Sequence, residues 1–317
     1  MSSINTNTSA MNALATLRNV NSSLNQTQDR ISTGLKVSSG KDNAAYFAIS
    51  ETMKGDSGMT KAVNESLTLT KNSLATARVG ADSVKDLAVE FGERVAFAQA
   101  SGSDIESIKV ELDEIVKRMG ASISQATFNG DDLISAANTT TTAASVDATT
   151  GELTEAVMEN APKTMNVVTG LTREGGTFGT TEMEVKGVDL KEIHLNFKAI
   201  ADNLVTNYNA ETSGVPDLDD DEKATYLENT LKAAEGLLDK AVSAATTLGV
   251  GEKSIENQQE FLTKLADNLD SGVGAMVDAN MEEEAARLQA LQVQQQLASQ
   301  SLSIANQAPQ NILSLFR

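Results

Sequence analysis

Residues 63–98 read VNESLTLTKNSLATARVGADSVKDLAVEFGERVAFA. In them Val63, Leu67, Thr70, Leu74, Ala77, Ala81, Val84, Ala88, Phe91, Val95 and Ala98 recur at steps of four and three. A mean spacing of 3.5 residues, held for that long, describes a left-handed coiled-coil seam better than a helix lying on a globular core. Small side chains fill much of the stripe, so a partner helix can approach closely.

The same spacing continues on either side. Toward the N-terminus, Leu14, Leu17, Asn21, Leu24, Gln28, Ile31 and Leu35 form a heptad stripe with two polar interruptions, Gly34 marks a stop, and Ser38-Ser39-Gly40 reads as a connector. A second helix is expected after Asp42. Ser101-Gly102 breaks it, Ser103 and Glu106 offer a capping box, and Ile105, Ile108, Leu112, Ile115 and Met119 carry the return helix of a hairpin that ends at Phe128-Asn129-Gly130. Ser, Thr and Ala then dominate residues 135–150. Met165–Thr169 and Met183–Val188, separated by Gly170, Gly175, Gly176 and Gly179, read as strands of a small domain. Heptad spacing resumes with Leu227, Leu231, Ala234, Leu238, Ala241, Ala245 and Leu248 and runs on through Ile255, Leu262 and Leu269. Gly249 and Gly251 are expected to interrupt it, and Gly272 and Gly274 to punctuate before a last helix. That helix carries Met281, Ala285, Leu288, Leu291, Ala298, Leu302 and Ala305, with Pro309 expected to end it.

The fold class expected is mainly α: a long antiparallel helical coiled-coil bundle formed by both chain ends, with a small β-containing (α+β) insert in the middle. Its parts are expected at residues 1–41 and 271–317 (terminal helices), 42–132 and 217–270 (helical flanks) and 133–216 (insert).

Composition narrows the function. The chain has 317 residues, of which 40% are hydrophobic but only 3% aromatic, with no Trp and three Pro. Such an apolar inventory suits helical seams more than one globular core. With 25 basic and 44 acidic residues the formal charge is −19, and no cluster of Lys and Arg is present. Nucleic acid is therefore an improbable partner. With no Cys and one His, neither a disulfide framework nor a thiolate or His-built zinc site can form within the chain. Met1–Leu17 lacks the pattern of a cleavable secretory signal, and no segment is apolar enough for a membrane helix.

The ends pose the sharpest question. Arg18 is the only charged side chain before Asp29, and only Arg287 and Arg317 follow Ala285. Pairing the two ends buries one stripe on each and leaves outward faces of Ser, Thr, Asn and Gln, which suit burial against other chains wherever their amides find partners. Free in solution, such ends have little to offset their conformational entropy, so they are expected to be disordered before assembly and helical afterwards. Asn21 and Gln28 fit a seam in which polar residues weaken pairing but fix its alignment.

The residues at both ends resemble those of bacterial flagellins. At the start stand Arg18, Asn21-Ser22-Ser23-Leu24-Asn25, Arg30-Ile31-Ser32-Thr33-Gly34-Leu35-Lys36 and Asp42-Asn43-Ala44-Ala45, and later Thr127-Phe128-Asn129-Gly130. At the end stand Glu283-Glu284-Ala285-Ala286-Arg287-Leu288-Gln289-Ala290-Leu291-Gln292, Gln295-Gln296-Leu297, Leu302-Ser303-Ile304-Ala305-Asn306-Gln307 and Leu313-Ser314-Leu315-Phe316-Arg317. The resemblance implies an extracellular filament subunit, exported unfolded through the flagellar type III apparatus. In the family, paired terminal helices form an inner tube and longer helices an outer one, and the variable insert faces outward. Its implied partners are identical subunits, an export chaperone on the C-terminal helix, the filament cap and the hook–filament junction proteins, with no membrane partner. It implies self-assembly through Leu14, Leu17, Asn21, Leu24, Gln28, Ile31 and Leu35 and through Leu288, Leu291, Gln295, Ala298, Leu302, Ala305, Phe316 and Arg317. Enteric flagellins meet vertebrate innate receptors at an Arg-x-Arg-Glu-Leu-Ala run. Here Ser83-Val84-Lys85-Asp86-Leu87-Ala88 stands there, so Leu87 and Glu111 match a receptor-facing surface, whereas Ser83 removes a planar donor fork.

Catalysis finds little support. His194 lies on an apolar alternation without a second His or a Cys, Gly249–Ser254 lacks the Gly-Lys adjacency of a phosphate loop, and the acidic run Asp217–Glu222 reads as a helix start more than a calcium loop. No cofactor is expected. Asn138–Thr150 reads either as a flexible linker or as a site for O-linked sugars. Besides a filament subunit, two readings stay open: a hook–filament junction protein, and a soluble adhesion or binding module on a coiled-coil stalk.

Overall fold

A computed structural model of the chain describes residues 7–100, 104–128, 130, 132–134, 140–159, 162–174, 177–208 and 218–315. In chain order its elements are α1 (Thr8–Thr33), α2 (Ala44–Ala98), α3 (Ile105–Gln125), β1 (Thr140–Thr142), β2 (Ser145–Val146), β3 (Leu153–Thr154), β4 (Val157–Met158), β5 (Thr164–Glu174), β6 (Thr177–Lys186), α4 (Leu190–Tyr208), α5 (Asp220–Val277) and α6 (Met281–Leu315). The chain divides into two compact units, Met1–Met59 with Leu265–Arg317, and Thr60–Lys264, so the division falls inside α2 and α5.

In the unit Thr60–Lys264 the quoted heptad stripe is the core. Leu67, Leu74, Ala77, Ala81, Val84, Ala88, Phe91, Val95 and Ala98 are all buried. They meet the buried stripe of α3, Ile105, Ile108, Leu112, Ile115 and Met119, and that of α5, Leu227, Ala234, Ala241, Leu248, Ile255 and Leu262. Ion pairs Lys71–Glu256 at 2.9 Å and Arg78–Glu252 at 2.6 Å mark α2 and α5 as antiparallel, and Glu90–Arg118 at 2.7 Å does the same for α2 and α3. Three of the few aromatics, Phe91, Phe197 and Tyr226, are fully buried. Phe91 and Phe197 contact edge to face with centroids 4.8 Å apart. Tyr226 is fully buried, its hydroxyl donating to the Asn203 carbonyl, and burial pushes its pKa up to about 12.

The insert departs from the heptad pattern because its apolar residues alternate. Val167 and Val185 face the core while Asn166, Glu184 and Lys186 are exposed. β5 and β6 form an antiparallel hairpin with Met165 opposite Val185 and Val167 opposite Met183, and the Gln258 side chain holds it to α5 by donating to the Thr169 carbonyl at 2.6 Å. Two shorter pairs, β1 with β4 and β2 with β3, complete the strands. Backbone bonds from Val188 to Leu133 and from Leu190 to Ile134, both 2.8 Å, bring the two ends of the insert together.

Several expectations are corrected. Gly249, Gly251, Gly272 and Gly274 do not interrupt a helix, since α5 is continuous from Asp220 to Val277. Two of them serve close approach: a Cβ on Gly251 would lie 3.1 Å from Leu74 Cδ2, and one on Gly272 would lie 2.8 Å from Met53 Cε. α6 also runs through position 309 to Leu315. His194 lies on α4, not on an alternating strand. Its ring nitrogen would sit 3.0 Å from a Cβ on Gly120, so α3 and α4 meet through that glycine.

Gly80 is the tightest of these approaches. A Cβ there would overlap Ala126 Cβ and lie 2.9 Å from Ile134 Cδ1. Gly80→Ala is expected to destabilise this unit by about 1–3 kcal/mol despite the better helix propensity of Ala. Thermal unfolding followed by circular dichroism measures it, and an unchanged or raised midpoint contradicts the close packing.

Candidate functional site

The unit Met1–Met59 with Leu265–Arg317 holds the two chain ends. α1 is capped by Asn7 at its start and stopped by Gly34 at φ 73°, a conformation that suits glycine. α6 starts at Asn280, whose side chain accepts from the Glu282 and Glu283 amides. Glu282, Glu283 and Glu284 in its first turn and Arg30 in the last turn of α1 each complement a helix dipole.

Three polar contacts show that α1 and α6 pair antiparallel. Asn7 Nδ2 donates to the Ala305 carbonyl at 2.8 Å, Gln295 Nε2 to Asn21 Oδ1 at 2.7 Å, and Arg30 Nη1 to Glu284 Oε1 at 3.0 Å. The first has a specific cause. Pro309 carries no N–H, so the Ala305 carbonyl lacks its helical donor, and Asn7 supplies one while its own Oδ1 caps α1 by accepting from the Ala10 amide at 3.0 Å.

Below the helices the two connectors clasp each other. Ala279 donates to the Gly34 carbonyl at 2.8 Å, Lys36 donates to the Val277 carbonyl at 2.6 Å, and Leu35 bridges Asp278. Val37, Val273 and Val277 are buried beneath, with Leu35, Phe47 and Met53 packed around them. Asp42 Oδ2 accepts from the amides and hydroxyls of both Ser38 and Ser39 at 3.1–3.2 Å. These donors hold its carboxyl below its ordinary pKa, the Ser38 and Ser39 amides foremost.

On α6, Leu291 and Ala298 are buried and Leu288, Gln295, Leu302 and Ala305 half-buried, whereas Met281 and Ala285, expected on the same stripe, are exposed. Phe316 and Arg317 lie outside the described residues. On α1 the seam follows the other phase of the heptad. Leu17, Leu24 and Ile31 face α6, but the alternate positions are Ala13, Val20 and Thr27, the last only 3% exposed, while Leu14 and Gln28 point to solvent. Steps of three then four place the smaller side chains inward, which lets the helices approach, whereas Gln28 keeps its amide in water. Asn21 is half-buried beside this seam, and Leu35 belongs to the clasp.

Sequence reading missed the opposite side of α6. Val293, Leu297 and Ile304, at steps of four and seven, lie on one outward stripe and are 55%, 58% and 66% exposed. Met11 on α1 is 64% exposed. Periodicity alone could have shown this second stripe, but Gln and Ser between its members dilute the signal.

Other candidates resolve into structure. Leu87 is buried in the core, so of the receptor-facing pair only Glu111 meets solvent, where it pairs with Arg94 at 3.2 Å. Burial lowers the pKa of His194. Asp217 lies outside the described residues, whereas Asp219 and Glu222 form a reciprocal capping box on α5. Residues 249–254 are helical. Asn138 and Thr139 lie outside the described residues.

The two helices thus bury one heptad face on each other and leave a second apolar stripe exposed. Residues 4–139 match the bacterial flagellin N-terminal helical region and residues 231–316 the bacterial flagellin C-terminal helical region. The chain is similar over its whole length to a flagellin of Brucella melitensis, at 34% identity over all of both chains, and to flagellin C of Rhizobium meliloti, at 33% over all of both. Flagellin FljM of Caulobacter vibrioides is 31% identical, covering all of this chain and 99% of its own. A solved flagellar hook-associated protein from Vibrio parahaemolyticus shares the fold, with a TM-score of 0.52 and 16% identity over 75% of this chain and 100% of its own. The chain belongs to the bacterial flagellin family: it is a structural subunit of the bacterial flagellar filament. No helix among the described residues is long and apolar enough to cross a membrane.

Two predictions follow from this geometry. Asn7→Ala removes a cap and orphans the Ala305 carbonyl, so amides in the first turns of α1 should exchange with deuterium roughly tenfold faster in the polymer. Unchanged exchange there contradicts the dual role of Asn7. Because the folded pKa of Asp42 is depressed, its contribution to the clasp is complete above the usual carboxylate range near pH 4 and is lost as pH falls through the lowered value. Protection of the Ser38 and Ser39 amides should therefore collapse below about pH 4; protection that fades instead between pH 8 and 6 is incompatible with it.

Proposed function

We propose that α1 and α6 are the assembly helices, forming an inner tube with residues 1–41 and 271–317, that residues 42–132 and 217–270 form an outer tube, and that residues 133–216 face outward. The observation that carries this reading is the outward stripe of α6. Val293, Leu297 and Ile304 leave substantial apolar area in water beside side chains that carry no charge. That arrangement is stable once a neighbouring copy covers it. The self-assembly residues are then Leu17, Asn21, Leu24, Ile31, Leu288, Leu291, Gln295, Ala298, Leu302 and Ala305 on the inner seam, with Phe316 and Arg317 at the chain end. Leu14 and Gln28 face neighbouring copies, and Leu35 holds the connector.

Repeating one head-to-tail contact whose rotation does not close gives an open helical filament, not a ring. The free ends are unfolded during export and become helical as copies cover them, which couples ordering to assembly. The partners beyond identical subunits are an export chaperone on the C-terminal helix, the filament cap and the hook–filament junction proteins. The protein is extracellular, has no catalytic role and needs no cofactor.

The test is the double substitution Val293→Asp with Ile304→Asp. Both side chains point away from α1, so helicity of the free chain should be unchanged. The protein concentration needed for polymer should rise roughly 100-fold, because each carboxylate must be desolvated in the contact. Sedimentation and electron microscopy of salted, concentrated protein read the outcome. Normal filaments from this variant contradict the proposal.

A further inference from the structure

The pairing of α1 with α6 contains a charge pair that its stability does not require. Arg30 Nη1 lies 3.0 Å from Glu284 Oε1, with the two side chains 21% and 8% exposed. The second carboxylate oxygen, Glu284 Oε2, is buried without a hydrogen-bond partner. A buried ion pair left half-satisfied does not outperform apolar residues of the same size, because desolvation offsets its attraction. Its location calls for a different explanation.

The rest of the seam is degenerate. On α1 it runs Ala10, Ala13, Leu17, Val20, Leu24, Thr27 and Ile31, and on α6 it runs Glu284, Leu288, Leu291, Gln295, Ala298, Leu302 and Ala305. Each series has a period of seven, so sliding one helix past the other by a heptad keeps every seam position on the seam. The clasp beneath resists such a slip through its backbone hydrogen bonds and the buried Val37, Val273 and Val277, and the charge pair adds a requirement within the seam itself. In the observed alignment Arg30 meets Glu284; displaced by one heptad, Arg30 meets Leu291 or Val277, and Glu284 meets Ser23 or Val37. Either slip takes each charge from its partner on the seam.

We propose that Arg30 and Glu284 are positioning residues that set the alignment of α1 on α6. Alignment decides which residues stand side by side on the outer surface of the pair, so a slipped subunit would offer its neighbours the wrong face. While both charges are present, a heptad-slipped pair is disfavoured by roughly 10- to 100-fold. Asn21 and Gln295 add a weaker, neutral preference for the same alignment. This inference rests on the reading that α1 and α6 pair in the assembled filament.

Because the chain has no cysteine, introduced pairs report alignment without background. Full-length protein carrying Asn21→Cys with Gln295→Cys reports the observed alignment, and Asn21→Cys with Leu288→Cys reports a one-heptad slip. Each reporter is placed in the otherwise unaltered chain and in the variant Arg30→Met with Glu284→Leu, polymerised and oxidised. The unaltered chain should give only the 21–295 disulfide, whereas the apolar variant should give both. Should that variant fail to polymerise, Glu284→Gln with the same reporters should also give both. A 21–295 disulfide formed exclusively in every variant overturns the role assigned to the charge pair and leaves the helix pairing intact. Polymers of the unaltered chain with neither disulfide overturn the pairing itself, and the proposal with it.

Discussion

The close antiparallel contact between the first and last helices is the interaction on which the rest depends. Its seam holds Ala, Thr and Leu with no aromatic side chain, so each residue buries little area and the helices gain by approaching closely. A seam of that kind is weak alone. The polar contacts Asn7–Ala305, Asn21–Gln295 and Arg30–Glu284 add specificity more than strength, and the uncovered stripe of α6 leaves much of the available apolar burial for a contact with another chain.

The unit Thr60–Lys264 solves a different problem. There α2, α3, α4 and α5 bury larger residues, Phe91, Met119, Phe197 and Tyr226 among them, and surface ion pairs such as Lys71–Glu256 and Arg118–Glu90 decorate the rim. This unit has a core of its own. The insert shares it: its ends meet at Leu133, Ile134, Val188 and Leu190, and Val167, Val185 and Phe197 pack into the same core as the helices.

The helices and most of their seams were legible in sequence because heptad spacing persists for many turns and few alternatives mimic it. What escaped has identifiable causes. Leu17, Leu24 and Ile31 fit two heptad phases equally, and only the need for close approach selects Ala13, Val20 and Thr27 over Leu14 and Gln28. Glycines in α5 resembled stops because propensity cannot see that Leu74 and Met53 need the space. Pro309 resembled a stop because its missing hydrogen bond is compensated by Asn7, nearly three hundred residues earlier. The Arg30–Glu284 pair, 254 residues apart in sequence, had no local signature at all. Leu87 matched a family surface by position, yet its neighbours in three dimensions bury it.

The account stands on the claim that another copy of the chain covers the outward stripe of α6. Replacing Leu297 with cysteine in this cysteine-free chain and timing its reaction with a small thiol reagent, before and after polymerisation, tests that claim most directly. The account predicts rapid labelling in the free chain and slowing by roughly 100-fold or more in the filament, as for a fully covered side chain. Equal rates in the two states would leave α6 facing solvent and contradict it.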